Sequence, residues 1–310
     1  MKTRFFAFAA LALSLAACNN DNENLNNDGP VAAKFTADIG NNVTATPSTR
    51  VSGTDGDLWD NGDCIGITGA GYTNIPYVTS GDGNFTPKSV PIYYDDPSEH
   101  AFSAYYPYQE DSKLTEDKIT VTTDATVQQN QSSIDFLFAS GATGSTYNPD
   151  VKFVKDNSFH HCMSRITFTF IGDSGVTIPA EGPLNYTLKD LLLEGSFDTA
   201  NGQAAATTTD RENVTLPGSF TSAIFFPQDI VTSIGMNIVL NGKNYSTALP
   251  VKDGKLESGK EYHYNITISH NDATVSATIS EWDRNDTDLS VKFCPPHTAA
   301  PAQASSRSCP

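Results

Sequence analysis

Strict alternation of apolar and polar residues is the feature that most constrains the fold of this chain. Successive side chains of a β-strand point to opposite faces, so an alternating segment buries one face and exposes the other. Five segments predict half-buried strands of this kind. Their apolar positions are Ala33, Phe35, Ala37 and Ile39; Ile166, Phe168 and Phe170; Ile234, Met236, Ile238 and Leu240; Tyr262, Tyr264, Ile266 and Ile268; and Val275, Ala277 and Ile279.

Turn-forming dipeptides separate the alternating segments. Asn-Gly or Asp-Gly pairs occur at residues 55–56, 61–62, 82–83, 201–202, 241–242 and 253–254. The pair Asn241-Gly242 lies between two strand-like segments and predicts a tight β-hairpin. No segment keeps a helical period for more than about two turns. The sequence therefore predicts an all-β chain built from antiparallel β-sandwiches.

The charge balance excludes one large class of partner. The chain has 36 acidic and 19 basic residues, with a formal net charge of −17. Because a nucleic-acid binder must neutralise phosphates with lysine and arginine, we expect no nucleic-acid partner. The 12 tyrosines and 17 phenylalanines are too many for a disordered chain and predict a folded core.

The N-terminus has the organisation of a secretory signal. Lys2 and Arg4 precede a short apolar run, and we assign residues 1–17 to a signal peptide. The sequence Leu15-Ala16-Ala17-Cys18 resembles the lipobox of bacterial lipoproteins, which implies lipidation of Cys18 and an outer-membrane anchor. More than one acyl chain gives stable anchoring. The alternative is an ordinary signal with an incidental cysteine.

Composition shifts predict the domain organisation. Residues 18–30 are polar and acidic, as in a disordered tether, and resemble a lipoprotein surface-export signal. A loop-like stretch before residue 150 predicts two β-sandwiches, at residues 31–150 and 151–293. Residues 294–310 are rich in proline, alanine and serine and predict a disordered tail.

No complete catalytic constellation is visible in the sequence. The tetrapeptide Gly172–Gly175 resembles the nucleophile segment of trypsin-like proteases, but Val176 stands where that family has another glycine. A tight turn after a strand explains the tetrapeptide better. His160 and His161 are adjacent, so on a strand they point to opposite faces and cannot share a metal ion. We expect neither enzymatic activity nor a cofactor.

Two further clusters allow a structural and a functional interpretation. One is an acidic loop that could bind Ca²⁺ but lacks the EF-hand order, so turn chemistry is favoured; it contains Asp55, Asp57, Asp60 and Asp63. The other is the aromatic run Phe102–Tyr108. A strand that buries Phe102, Ala104 and Tyr106 explains it, whereas a sugar-stacking platform would need Tyr105, Tyr106 and Tyr108 to face solvent together.

Several motifs, taken in their order along the chain, resemble the fimbrillin-like (Mfa-like) lipoproteins of Bacteroidetes. The matching residues are Trp59, Gly62, Asp63, Ile65, Gly66 and Ile67; Ala104–Pro107; Asp135–Ala139; Phe159, His160, Ser164, Arg165, Ile166 and Phe168; Leu193, Gly195 and Phe197; Leu256, Gly259, Tyr262 and Tyr264; and Ile279 and Trp282. Together with the lipobox, they span nearly the whole chain up to residue 293.

The resemblance implies a fold, a role and partners. It implies two transthyretin-like β-sandwiches in tandem and a pilus (fimbria) subunit or accessory adhesin lipoprotein. In polymerising members, an Arg-specific protease removes the N-terminal segment, and a strand from a neighbouring subunit fills the groove that opens. The implied partners are other fimbrial subunits, identical or related, the outer membrane through the lipid anchor, and a host protein or glycan. The alternative function is a surface glycan-binding lipoprotein.

Particular residues fit this strand-exchange scheme. Residues 33–39 have the alternation that a removable strand needs, and Arg50 is the one arginine between Arg4 and Arg165. The processing site implied is therefore the Arg50–Val51 bond. The candidate donor strands are residues 275–279 and 289–293. The tail at 294–310 departs from the family pattern and leaves a tip, anchor or non-polymerising role open.

Overall fold

The computed structural model describes residues 29–40, 58–173, 175–179, 182 and 184–282. Within these ranges the chain consists of β-strands joined by turns and four short 3₁₀ segments, which confirms the all-β prediction. The 3₁₀ segments are Asp111–Lys113, Val127–Ser133, Lys155–Asn157 and Lys252–Gly254. The described residues include no helix with the length and apolar character of a bilayer-spanning segment.

Eleven of the described strands precede residue 162. They are β1 Val31–Ala32, β2 Lys34–Ala37, β3 Cys64–Gly69, β4 Tyr72–Thr79, β5 Asn84–Pro87, β6 Tyr93–Tyr94, β7 His100–Tyr106, β8 Lys118–Thr122, β9 Leu137–Gly144, β10 Asp150–Phe153 and β11 His160–His161. Eight of them form one sheet in the order β10-β2-β5-β4-β3-β7-β9-β11, and β1 pairs with β6.

Twelve strands follow. They are β12 Ser164–Gly172, β13 Leu184–Leu192, β14 Glu194–Asp198, β15 Ala204–Ala206, β16 Arg211–Pro217, β17 Ser222–Phe225, β18 Gln228–Asp229, β19 Ser233–Leu240, β20 Lys243–Pro250, β21 Lys255–Leu256, β22 Lys260–Ile268 and β23 Ala273–Glu281. Two four-stranded sheets, β17-β12-β22-β23 and β16-β13-β19-β20, enclose a shared core. A third sheet, β15-β14-β8, joins β8 to the later strands, and β18 pairs with β21.

Most strand pairs are antiparallel, as the sequence predicts, but two are parallel. β2 pairs in parallel with β10, and β12 pairs in parallel with β22. Parallel partners need a long connection between them, and each of these pairs is separated by many intervening strands. Local alternation contains no information about which distant segment becomes a neighbour.

Three clusters of buried side chains form the core. The first lies around the eight-stranded sheet and contains Phe35, Ile65, Tyr77 and Phe102. The second lies between the two four-stranded sheets. The third joins residues from early and late strands, including Tyr105, Phe136, Phe197, Phe226 and Trp282. The division into domains at 31–150 and 151–293 stays a prediction; strand pairing would place such a boundary after β11, because β10 and β11 still belong to the eight-stranded sheet.

The alternating segments lie in the structure largely as predicted. The inward positions of residues 33–39, 234–240 and 262–268 are all buried, while Phe170 and Ile279 are partly buried. Asn241 and Gly242 connect β19 to β20 with φ values of 52° and 77°, the left-handed pair of a type I′ turn. After β12, the Val176 N–H donates to the Asp173 carbonyl at 3.1 Å, a hydrogen bond typical of the predicted turn; Ser174 lies outside the described residues.

Arg165 departs from the alternation rule. The pattern of β12 places it on the outward face with Thr167 and Thr169, yet its side chain is only 9 % exposed. Its guanidinium forms a hydrogen-bonded ion pair with Glu261, whose position on the parallel strand β22 is directly opposite. Burial of a charge is tolerated here because the opposite charge is buried with it.

The Arg165 ion pair belongs to a larger junction between early and late strands. The guanidinium lies over the ring of Trp282, 4.8 Å from its centroid. His161 also stacks on Trp282, with the ring centroids 3.9 Å apart and an interplanar angle of 4°. His161 Nδ1 is 2.7 Å from the Asp135 carboxylate. These contacts fix the end of β23 against β11 and β12.

Candidate strand-exchange site

The N-terminal segment, residues 31–40, is enclosed by the sheet. β2 pairs on one side with β10 in parallel and on the other with β5 in antiparallel. The Ala37 N–H donates to the Gly83 carbonyl at 2.8 Å, and the Asp38 N–H donates to the Phe153 carbonyl at 3.0 Å. The segment is thus hydrogen-bonded along both edges. It is an interior part of the sheet, although it contains the first described strands of the chain.

The inward face of the N-terminal segment fills the first core cluster. Ala33, Phe35, Ala37 and Ile39 are all buried, and Phe35 is 2 % exposed. The Phe35 ring meets Tyr77 and Phe102 edge to face, at centroid distances of 4.8 and 5.4 Å, and stacks on Phe153 at 6.3 Å. Burial of a Phe or Ile side chain contributes about 1.5–3 kcal/mol, so this face supplies much of what holds the segment in place.

The C-terminal end of the segment is held by Trp59 and Phe159. Trp59 Nε1 donates to the Ala37 carbonyl at 2.8 Å, while its ring packs edge to face on Phe159 at 5.1 Å. The Gly40 N–H donates to the Phe159 carbonyl at 2.7 Å, and Ile39 forms a parallel bridge with Phe159. Trp59 belongs to one of the sequence motifs, but nothing in the residues around it predicts its contact with β2.

Gly83 allows the close approach of the turn before β5. Its φ of 76° lies in the left-handed region, and an added Cβ would be 2.9 Å from the Ala37 carbonyl oxygen. Any side chain at this position would therefore strain the backbone and press on the segment. The Asp82-Gly83 pair is predicted as a turn, and the structure adds that this turn faces β2.

One carboxylate of the segment is poorly solvated. Burial raises the pKa of Asp38 above its ordinary value. Because the folded-state pKa is the higher one, the protonated acid favours the folded state, and that contribution is lost as pH rises through the folded pKa. At neutral pH the ionised carboxylate therefore opposes docking of the segment.

The substitution Asp38→Asn is accordingly expected to stabilise the protein at neutral pH. The amide has a similar shape and carries no charge, so the desolvation penalty is absent. Thermal unfolding should give a higher midpoint for the variant at pH 7. The difference should vanish once the pH falls below the ordinary aspartate value of 3.8. An equal difference at both pH values would contradict the charge argument.

The sequence-predicted sites fall in different parts of the chain. Cys18, Arg50, Val51 and the donor candidate 289–293 lie outside the described residues. Of the acidic loop, Asp60 and Asp63 are described, and the Asp60 N–H donates to the Asp63 carboxylate at 2.7 Å, which is turn chemistry. The described residues contain no group of three or more His, Cys, Asp or Glu side chains that could hold a metal ion.

The aromatic run does not form the platform that a glycan site would need. Phe102 and Ala104 are buried on one face of β7, as the core interpretation predicts. Tyr105 is also buried, at 3 % exposure, and its hydroxyl donates to Asn74 Oδ1 at 2.7 Å. Tyr106 packs against the first core cluster. Because both faces of β7 are covered, these tyrosines do not face solvent together.

Known proteins are similar to this chain in both sequence and fold. A protein of Bacteroides uniformis described as a fimbrium subunit is 28 % identical over 308 residues, covering 91 % of this chain and 96 % of that protein. A crystal structure from Bacteroides ovatus, described as a cell adhesion protein, is 29 % identical with a TM-score of 0.67 and covers 83 % of this chain and all of that one. A second, from Bacteroides uniformis, shares the fold at 24 % identity, with a TM-score of 0.66 and the same coverage.

The chain is an all-β protein, and its fold is the one that these two structures share. The sequence model of the fimbrillin-like family matches residues 49–282, most of the chain. The chain belongs to the fimbrillin-like family, which confirms the resemblance derived from its motifs.

Proposed function

We propose that this chain is a fimbrial subunit that assembles by β-strand exchange after proteolysis removes its N-terminal strand. One observation carries the proposal: β2 is an interior strand of the sheet, yet the connection from Gly40 to Trp59 contains Arg50. A cut at the Arg50–Val51 bond would leave residues 31–40 attached by non-covalent contacts alone. The family match begins at residue 49, which is consistent with a separate role for the residues before it.

The described arginines support selective cleavage at Arg50. Arg165 is buried in β12. Arg211 lies in β16, where its guanidinium donates to the carbonyls of Asp190 and Asp229, both at 2.7 Å. Proteases bind extended, accessible backbone, whereas strands inside a sheet have their backbone already paired. Arg165, on the interior strand β12, is therefore protected from an Arg-specific protease. Arg211 lies on the edge strand β16, where a protease would first have to break the two hydrogen bonds of its guanidinium.

Loss of residues 31–40 would leave a groove that favours a replacement strand. β5 would have an unpaired edge, β10 at the end of the sheet would lose the strand with which it pairs, and the pockets of Phe35 and Ile39 would be open to water. An added strand satisfies the backbone groups through ladder hydrogen bonds and fills the pockets with alternate side chains. Because the donor and the acceptor are different surfaces, repeated contacts of this kind build an open fibre.

Of the two candidate donors, residues 289–293 fit better. Residues 273–281 form β23, which pairs along its whole length with β22 and buries Val275 and Ala277 in the core. Withdrawal of β23 would open a second core. The sequence Leu-Ser-Val-Lys-Phe at 289–293 repeats the apolar pattern of Val-Ala-Ala-Lys-Phe at 31–35, with the lysine and the phenylalanine identical. Phe293 of one subunit would then fill the Phe35 pocket of the next.

A lipid anchor at Cys18 would hold the unprocessed subunit in the outer membrane, with the body at the cell surface. The substitution Cys18→Ala is expected to move the protein from the membrane fraction to the soluble fraction, because the thiol that carries the diacylglycerol is gone. Fractionation of cells with immunoblotting measures this change. Equal membrane retention of the wild-type and variant proteins would remove the anchor from the proposal.

The proposed function is tested by the mass and N-terminal sequence of protein recovered from cell surfaces, with and without an added Arg-specific protease. A start at Val51, together with a ladder of SDS-resistant oligomers, is the expected result. A lipidated start at Cys18 with no ladder after protease treatment would contradict strand exchange. It would leave an anchor, accessory or glycan-binding role.

A further inference from the structure

β17 lies at the edge of its four-stranded sheet. It pairs with β12 on one side, where Arg165 is opposite Ile224 and Thr167 is opposite Ser222. An edge strand normally presents a row of unpaired N–H and C=O groups, which is a template for a further strand. In this protein, side chains of the 3₁₀ segment Val127–Ser133 occupy that row.

Gln128 binds the outer edge as a peptide group would. Its Oε1 accepts the Ile224 N–H at 2.9 Å, and its Nε2 donates to the Ile224 carbonyl at 2.7 Å. The same Nε2 donates to the Thr123 carbonyl at 2.9 Å, and the side chain is 2 % exposed. A neighbouring β-strand would form the same two bonds with Ile224.

Gln131 binds β17 two residues away, at Ser222, through the backbone carbonyl and the side-chain hydroxyl. Its Nε2 donates to the Ser222 carbonyl at 2.8 Å, and its Oε1 accepts the Ser222 hydroxyl at 3.0 Å. Residues two apart in a strand direct their backbone groups to the same edge. The two glutamines therefore bind both outward-facing backbone groups of Ile224 and the outward-facing carbonyl of Ser222.

We propose that Val127–Ser133 is a built-in cap on a second strand-accepting edge, and that its glutamines prevent a strand from another copy of this chain from pairing with β17. The cap satisfies β17 with side-chain amides, so it presents no continuous backbone row to the next molecule. Strand addition at β17 is blocked as a result, which removes one edge at which a growing fibre could branch. The cap does not depend on cleavage at Arg50, whereas its effect on fibre growth rests on the proposed strand exchange.

The test uses the mature chain with Cys18→Ala and Arg50→Ala, so that neither lipid nor the N-terminal groove contributes to association. In this background, Gln128→Ala/Gln131→Ala is compared with Gln203→Ala, a matched loss of an exposed glutamine. Sedimentation velocity over a concentration series is expected to show a monomer for the parent and for Gln203→Ala. The double variant should self-associate at a concentration at least about tenfold lower.

A folded double variant that stays monomeric over the same range overturns the proposal. Circular dichroism and thermal unfolding establish the folded state. Should the double variant not fold, Gln131→Leu is used by the same criteria, because Gln131 is only partly buried. Amide exchange of the parent gives an independent measure. An Ile224 amide that exchanges as fast as the amides of the exposed turn at Asn241 would show that the cap is not formed, and would also overturn the proposal.

Discussion

Replacement of Arg50 with alanine is expected to abolish assembly into SDS-resistant oligomers while secretion and folding continue. The reason is that β2 is held by the sheet on both edges and by the buried Phe35. Without a cut, the strand stays tethered and returns to its groove faster than a second molecule can compete. Unboiled samples analysed by gel electrophoresis and immunoblotting should lose the ladder, at least about a tenfold reduction on this reasoning.

Two control substitutions sharpen this experiment. Arg50→Lys keeps the positive charge and tests whether the protease requires arginine, so it should behave like Arg50→Ala. Arg307→Ala removes an arginine from the C-terminal tail and should leave the ladder intact. An unchanged ladder in Arg50→Ala, with a new N-terminus elsewhere before Trp59, would assign processing to another bond. A start still at Val51 would show that cleavage of this bond does not require arginine. A ladder built from uncleaved chains would end the proteolytic mechanism.

Local sequence patterns predict the strands well. The alternation at residues 33–39 and 262–268 places every apolar residue in the core, because one buried face is enough to fix the register of a strand. The pair Asn241-Gly242 predicts its hairpin for an equally local reason, since few residues adopt two consecutive left-handed conformations. A few neighbouring residues are enough to determine that these strands and this hairpin form and which face of each strand is buried.

The sequence does not predict which residues from distant parts of the chain become neighbours in the fold. Arg165 is placed outward by its own strand, and Glu261 on the parallel strand β22 is what permits its burial. Tyr105 is placed opposite the core of its sheet, yet it enters the third core cluster with Phe197 from a later sheet. A strand covered on both faces has a second environment that its alternation does not show.

The candidate strand-exchange site also has parts that the sequence predicts and parts that it does not. The sequence and the family resemblance predict the inward residues of the strand proposed to be removed and the proposed processing site at Arg50–Val51. They do not predict the walls of the groove: Trp59 donates to Ala37 and Phe153 stacks on Phe35, and both contacts depend on the topology. The residues around Gln128 do not predict its role either, because that role is to hydrogen-bond an edge strand that lies far away along the chain.

The junction around Arg165 gives the second large prediction. Glu261→Ala is expected to lower the free energy of unfolding by about 3–5 kcal/mol, because it leaves the buried guanidinium without its carboxylate. The same contact positions the guanidinium over Trp282, at the end of β23, so the end of that strand should also lose protection. Urea unfolding measures the free-energy change, and amide exchange of residues 273–281 measures the local effect.

An exposed pair on the same strand is the matched control. Lys260 on β22 forms an ion pair with Glu281 on β23, but the side chains are 26 % and 64 % exposed. Because water screens such a pair, Glu281→Ala should change stability by about 0–1 kcal/mol. Glu261→Gln keeps the size of the side chain and removes its charge. It should therefore lower the free energy of unfolding as Glu261→Ala does, because the charged carboxylate opposite Arg165 is lost. If Glu261→Ala and Glu281→Ala have equal small effects, the buried pair is not what holds the end of β23 against β12, and apolar packing of the third core cluster accounts for the junction.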